Sequence, residues 1–180
     1  MRFFDRVGSA LPPQDAYSAK IKVHGNDAFR QGDYHRALVI YWLCGDYNGH
    51  DPIYPLNSAA ACLKLRCYEE AESSCTTSLE RDDTPKAYFR RAQARRLCGK
   101  FEGAREDIDQ ARHMAAADAL VLAEEKELTR IEAMDEDARK RWVEEQGARV
   151  IDDLWTPKEY DTRVTLILSE FPPLERIPEF

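Results

Sequence analysis

The sequence lacks most of what would mark an enzyme, a membrane protein or a secreted protein. No apolar run approaches the ~18 residues that a membrane-spanning helix needs. The start, Met1-Arg2-Phe3-Phe4-Asp5-Arg6, carries an acid early and no long apolar stretch, so it does not read as a secretory signal. Cys44, Cys62, Cys67, Cys75 and Cys98 form no Cys-x-x-Cys pair, and His24, His35, His50 and His113 are scattered. The expectation is reduced core thiols in a cytoplasmic protein, with no metal site. There is no glycine-rich phosphate loop and no nucleophile–base pairing, so neither catalysis nor a cofactor is expected. Acids also outnumber basic residues, 33 Asp and Glu to 26 Lys and Arg. A formal net charge of -7 argues against a nucleic-acid partner.

What is present is a repeat. Gly25, Ala59 and Ala92 are spaced 34 and 33 residues apart. Twelve residues after each comes another small residue: Ala37, Ala71 and Ala104. Three residues before each of those stands an aromatic: Tyr34, Tyr68 and Phe101. Small residues let two helices of a hairpin approach, and the aromatic fills the wedge between them. One hairpin cannot bury its apolar face alone, so such units stack and share a core.

The period and pattern resemble the tetratricopeptide repeat family over roughly residues 17–115. The resemblance implies an all-α, right-handed superhelical array of three helix-turn-helix repeats, at about 17–50, 51–84 and 85–117. A leader (1–15) precedes the array. Residues 118–150 read as one long charged capping helix, and 151–180 as a mostly irregular tail. Expected helices run from about Asp15 to Gln31, Tyr34 to Cys44, Ile53 to Leu65, Tyr68 to Glu80, Pro85 to Leu97 and Phe101 to Met114. Asp15 and Thr84 are candidate caps, with Pro85 at the first helical position. Leu120, Leu128, Ile131, Met134, Ala138 and Trp142 are expected on one face of the long helix, whose second half would project beyond the array. Val164-Thr165-Leu166-Ile167-Leu168 reads as a strand or a buried helical turn. Arg95 and Arg96 stand where apolar residues are common. They and Arg91 and Lys100 are expected to be mostly surface charge.

Five polar residues fall on the first helices of the repeats: Lys22 and Asn26, Asn57, and Lys86 and Arg90. Lys22 and Asn26 are four apart, as are Lys86 and Arg90, so each pair shares a helix face. In their motifs, Lys-x-x-Gly-Asn-x-x-Phe, Asn-Ser-Ala-Ala and Lys-Ala-Tyr-Phe-Arg, they resemble the two-carboxylate clamp of co-chaperones. That resemblance implies a binding module for the C-terminal Glu-Glu-Val-Asp-type peptide of cytosolic heat-shock chaperones of the ninety- or seventy-kilodalton class. The Lys and Asn residues of the first two repeats would hold the terminal carboxylate, and Lys86 and Arg90 the aspartate side chain and nearby backbone. The alternatives are a tetratricopeptide scaffold for another partner, or a relative of repeat domains fused to an isomerase, phosphatase or ubiquitin ligase. The C-terminal helix and tail could serve a client or self-association, and the end Pro178-Glu179-Phe180 could itself visit the clamp.

Overall fold

A computed structural model describes residues 14–170. The expected leader and the chain end Pro178-Glu179-Phe180 lie outside the described residues. The helices are α1 (Gln14–Arg30), α2 (Tyr34–Tyr47), α3 (Ile53–Leu65), α4 (Tyr68–Leu79), α5 (Pro85–Leu97), α6 (Phe101–Met114), α7 (Ala119–Glu132), α8 (Glu136–Glu145) and α9 (Pro157–Glu170). No strand occurs among the described residues. α1 to α6 form three hairpins, α1–α2, α3–α4 and α5–α6, stacked so that each helix packs on its neighbours in sequence.

Local chemistry sets the boundaries. Gly32 and Gly99 take positive φ in the first and third hairpin turns. Asp33 caps α2 by accepting the Arg36 N–H, and Thr84 caps α5 by accepting the Ala87 N–H with Pro85 at the first position. α1 begins at Gln14, so Asp15 lies within it instead of capping it.

The repeat's small residues are where the helices meet. Ala37, Ala59, Ala71, Ala92 and Ala104 are all fully buried. Gly25 is the tightest point. A Cβ there would lie 2.8 Å from Cε1 of Tyr41 and 3.0 Å from Cγ2 of Ile40.

The third repeat departs from the expectation of surface charge. Arg96 is only 8% exposed and pairs with Glu124 of α7. Arg91 and Arg95 both reach the buried Asp107 of α6, at 2.7 and 3.1 Å, and Arg95 also reaches Glu72 of α4 at 2.8 Å. Lys100 reaches the other oxygen of Glu72 at 2.7 Å. These cations tie α4, α5, α6 and α7 together where another repeat would use apolar contacts. Each of the three arginines makes more than one hydrogen bond, which sustains its charge in the buried setting.

The C-terminal segment departs further. The single long helix expected over 118–150 is two helices. Asp135 accepts the Ala138 N–H and starts α8 afresh, and the chain turns there. Val121, Glu124, Leu128 and Ile131 form the buried face of α7, whereas Leu120 is 64% exposed.

The second half does not project. It returns along the hairpin turns from the third repeat to the first. Trp142 meets Phe101 with ring centroids 6.5 Å apart and stacks under the Arg96 guanidinium. Tyr68 donates to the Gln146 carbonyl at 3.2 Å, and the Arg149 N–H donates to the Arg66 carbonyl at 2.9 Å. Trp155 then packs on His35.

Nor is the tail irregular. Thr156 and Glu159 cap each other reciprocally: Oγ1 of Thr156 accepts the Glu159 N–H, and the Glu159 carboxylate accepts the Thr156 N–H. α9 follows, burying Val164 and Ile167 against Tyr17, Ile21, Ile40 and Leu43, with Arg36 paired to Glu170 at its far end. The apolar run is thus helical, not a strand.

Candidate functional site

α1, α3 and α5 border a cavity of about 400 Å³ lined by Asn26, Phe29, Arg30, Tyr41, Asn57, Ala60 and Arg90. Three of the five residues singled out in the sequence therefore share one lining. Lys22 and Lys86 lie outside it, each one helical turn before Asn26 and Arg90. The Lys22 ammonium is 6.0 Å from the centre of the Tyr54 ring on α3, across the gap between the first two repeats. Lys86 is exposed. Its pKa is lowered, first by the neighbouring Arg90 charge and then by partial burial. Two cations one turn apart on α5 thus repel each other, a cost that an anion between them would relieve.

Arg90 is anchored. Nη1 donates to the Leu56 carbonyl on α3 at 2.7 Å, which links the third repeat to the second. Burial lowers its pKa, opposed by Cys75 and Tyr41. It remains a guanidinium with further N–H donors. Asn26 is oriented by Tyr41, whose hydroxyl donates to Oδ1 at 3.0 Å. Oδ1 is thereby engaged and the two amide N–H donors remain. Burial pushes the Tyr41 phenol up to about 12, so it stays a donor at neutral pH.

Tyr41 is buried in α2 at 3% exposure, and its polar contact is one that sequence reasoning missed. Phe29, Arg30 and Ala60 were also missed as lining residues. Phe29 and Arg30 follow Asn26 by three and four positions, a spacing that puts them on its face. Arg30 pairs with Asp27.

The seven cations singled out in the sequence thus fall into two sets. Arg91, Arg95, Arg96 and Lys100 are each neutralised by a carboxylate. Lys22, Lys86 and Arg90 have no carboxylate partner among the described residues. The surroundings of the groove are donor-rich and acceptor-poor, a suitable arrangement for an anion with more than one carboxylate.

The cysteines take no part in this chemistry. All five are free, and burial pushes the thiols of Cys44 and Cys75 up to about 12 and that of Cys98 to about 11. No group of three or more His, Cys, Asp or Glu residues fit to hold a metal occurs among the described residues. No described helix is long and apolar enough to cross a membrane.

The sequence matches no family model. Among curated proteins it is 36% identical over 106 residues to mouse RNA polymerase II-associated protein 3, a match covering 58% of this chain and 16% of that protein. It is 32% identical over 114 residues to human serine/threonine-protein phosphatase 5, covering 58% of this chain and 23% of the phosphatase. The chain thus spans less than a quarter of the length of these relatives.

Among solved structures, the second TPR domain of human RPAP3, in complex with the HSP70 peptide SGPTIEEVD, superposes with a TM-score of 0.62 at 30% identity. That match covers 64% of this chain and 98% of the domain. The first TPR domain of Spaghetti (RPAP3), bound to the HSP90 peptide SRMEEVD, gives 0.64 at 27% identity, covering 71% of this chain and all of that one. With its three stacked hairpins and buried small residues, the chain belongs to the tetratricopeptide repeat family.

Proposed function

We propose that this protein is a non-catalytic, cytosolic co-chaperone-like adaptor. Its groove captures the C-terminal Glu-Glu-Val-Asp-type peptide of heat-shock chaperones of the ninety- or seventy-kilodalton class. The observation that carries the reading is the separation of cations described above: Lys22, Lys86 and Arg90 lack carboxylates among the described residues and adjoin Asn26 and Asn57, whereas the other cations of the third repeat are consumed internally. The neighbouring solved domains bound to peptides ending in Glu-Glu-Val-Asp support the same reading.

In this assignment Lys22, Asn26 and Asn57 hold the terminal carboxylate. Lys86 and Arg90 hold the aspartate side chain and adjacent backbone. A C-terminal aspartate presents two carboxylates a few bonds apart, which an internal residue cannot do. Charge-assisted hydrogen bonds contribute about 1.5–3 kcal/mol each. Several of them, less the cost of ordering the peptide, correspond to micromolar affinity, about -8 kcal/mol.

Calorimetric titration with a peptide ending Met-Glu-Glu-Val-Asp tests this. Micromolar binding is expected, weakening as salt rises. It should be lost on C-terminal amidation and in the Lys86→Ala, Arg90→Ala double variant. Equal affinity for the amidated peptide would reduce the groove to a general acid reader. No binding by the folded protein would leave a scaffold for some other partner.

A further inference from the structure

A second cavity, of about 690 Å³, contains no residue of α1, α3 or α5. It lies between α2, α4 and the returning C-terminal segment, lined by Trp42, Glu70, Ile151, Asp152, Trp155 and Tyr160. Three of its six lining residues are aromatic and in mutual contact. The Trp42–Trp155, Trp42–Tyr160 and Trp155–Tyr160 centroids are 6.0, 6.1 and 6.0 Å apart, with planes inclined by 70°, 56° and 57°. Two more are acids. Neither Glu70 nor Asp152 makes an ion pair or a side-chain hydrogen bond among the described residues.

For Glu70 that contrasts with the other buried or half-buried acids of the array. Glu72, on the same helix as Glu70, meets both Arg95 and Lys100, while Asp107 and Glu124 each meet arginine. Glu70 is half-buried with no cation. Its carboxyl is held above the ordinary value first by burial and then by Asp152. One polar group of the aromatic wall is also unsatisfied: the buried Trp155 Nε1–H has no acceptor among the described residues. A contiguous cavity of about 660 Å³ along α4 adds Asp46 and Asp161, with Arg81 as the cation of its lining. Arg81 donates to the Asp51 carbonyl.

We propose that the aromatic cavity binds the cationic side chain, lysine or arginine, of a basic polypeptide segment from a partner. Aromatic faces attract an organic cation by cation–π interaction within about 6 Å, more strongly once water is displaced. Glu70 and Asp152 supply the opposite charge. The site is independent of the groove. α1 and α5 present cations, and α1 and α3 amides, to an acidic peptide, while α2, α4 and the C-terminal segment present acids and rings to a basic one. The two partners could be held at once.

The test is ¹H–¹⁵N correlation of the tryptophan indoles in the full chain. The titrants are a capped Gly-Gly-Lys-Gly-Gly peptide, its trimethyl-lysine form and its Nε-acetyl-lysine form. Trp142, which packs on Phe101, is the internal control. The expected result is saturable movement of the Trp42 and Trp155 signals with both cationic peptides, with Trp142 unmoved. The acetylated peptide should bind at least tenfold more weakly. Glu70→Gln and the exposed Asp152→Asn should each weaken the cationic peptides severalfold while melting as the wild type does. No movement of Trp155, equal binding of the acetylated peptide, or unchanged affinity in both folded variants would overturn the proposal.

Discussion

Replacing Gly25 by alanine should destabilise this protein, although in an ordinary helix the same change stabilises. Alanine gains about 0.5–1 kcal/mol over glycine in an unpacked helix interior. Here the new methyl would sit 2.8 Å from Cε1 and 3.1 Å from Cδ1 of Tyr41, and 3.0 Å from Cγ2 of Ile40. Those neighbours are 3% and 0% exposed, so neither can swing into solvent. Relief requires α1 and α2 to move apart, and overpacking of this kind costs about 1–3 kcal/mol. The net expectation is a loss of about 0.5–2 kcal/mol. For a chain of this size that corresponds to roughly 1–8 °C in melting temperature.

The displaced ring carries the hydroxyl that orients Asn26, so affinity for the Met-Glu-Glu-Val-Asp peptide should fall as well. Urea denaturation followed by circular dichroism measures the first effect, and calorimetry below the transition the second. A Gly25→Ala protein as stable as wild type, or more so, would refute the claim that close helix approach is what glycine provides here.

Three further outcomes follow from the same geometry. Tyr41→Phe removes one hydroxyl and leaves the ring, so the fold should persist while peptide affinity drops about three- to tenfold, the weight of one ~1 kcal/mol hydrogen bond; an unchanged dissociation constant would mean that Asn26 needs no orienting. Asp107→Ala leaves the half-buried guanidinium of Arg91 without its carboxylate and Arg95 with Glu72 alone, so thermal melting should show a loss of about 3–5 kcal/mol, whereas Arg130→Ala on the surface should show almost none. Thiols whose pKa is raised in the fold stay protonated far above neutrality, so iodoacetamide at pH 8 should label the native protein slowly and at Cys98 first, and all five cysteines only after unfolding; rapid native labelling of Cys44 or Cys75 would contradict their burial.

The hairpins were legible because their signals are local. Gly32 and Gly99 supply the turns, Thr84-Pro85 a start, and small residues at a fixed period mark where helices touch. The bounds of α3, α5 and α6 follow from those signs alone. Asn26, Asn57 and Arg90 were legible as a group because repeat register places them on corresponding helices, and they do share a cavity lining.

The C-terminal third was misread for physical reasons. A run rich in Glu, Lys and Arg has helical propensity throughout, and nothing in propensity alone shows that Asp135 will cap a new helix. Residues 151–180 were expected to be mostly irregular, although Thr156 and Glu159 have the spacing of a reciprocal cap and Pro157 suits a first helical position. The sequence did contain that signal.

What the sequence by itself determined is the array: period, hairpin geometry and the face on which the candidate clamp residues lie, all consequences of spacing along a helix. Only the tertiary structure decided which charges are available. Arg90 and Arg91 are adjacent in sequence, yet one meets a backbone carbonyl beside the groove and the other the buried Asp107. The returning segment likewise brings Trp155 and Tyr160 to Trp42, more than a hundred residues away in the chain. Neighbours on one helix can be read from periodicity. The partner of a charge, or of an aromatic ring, depends on which distant helix the chain folds against it.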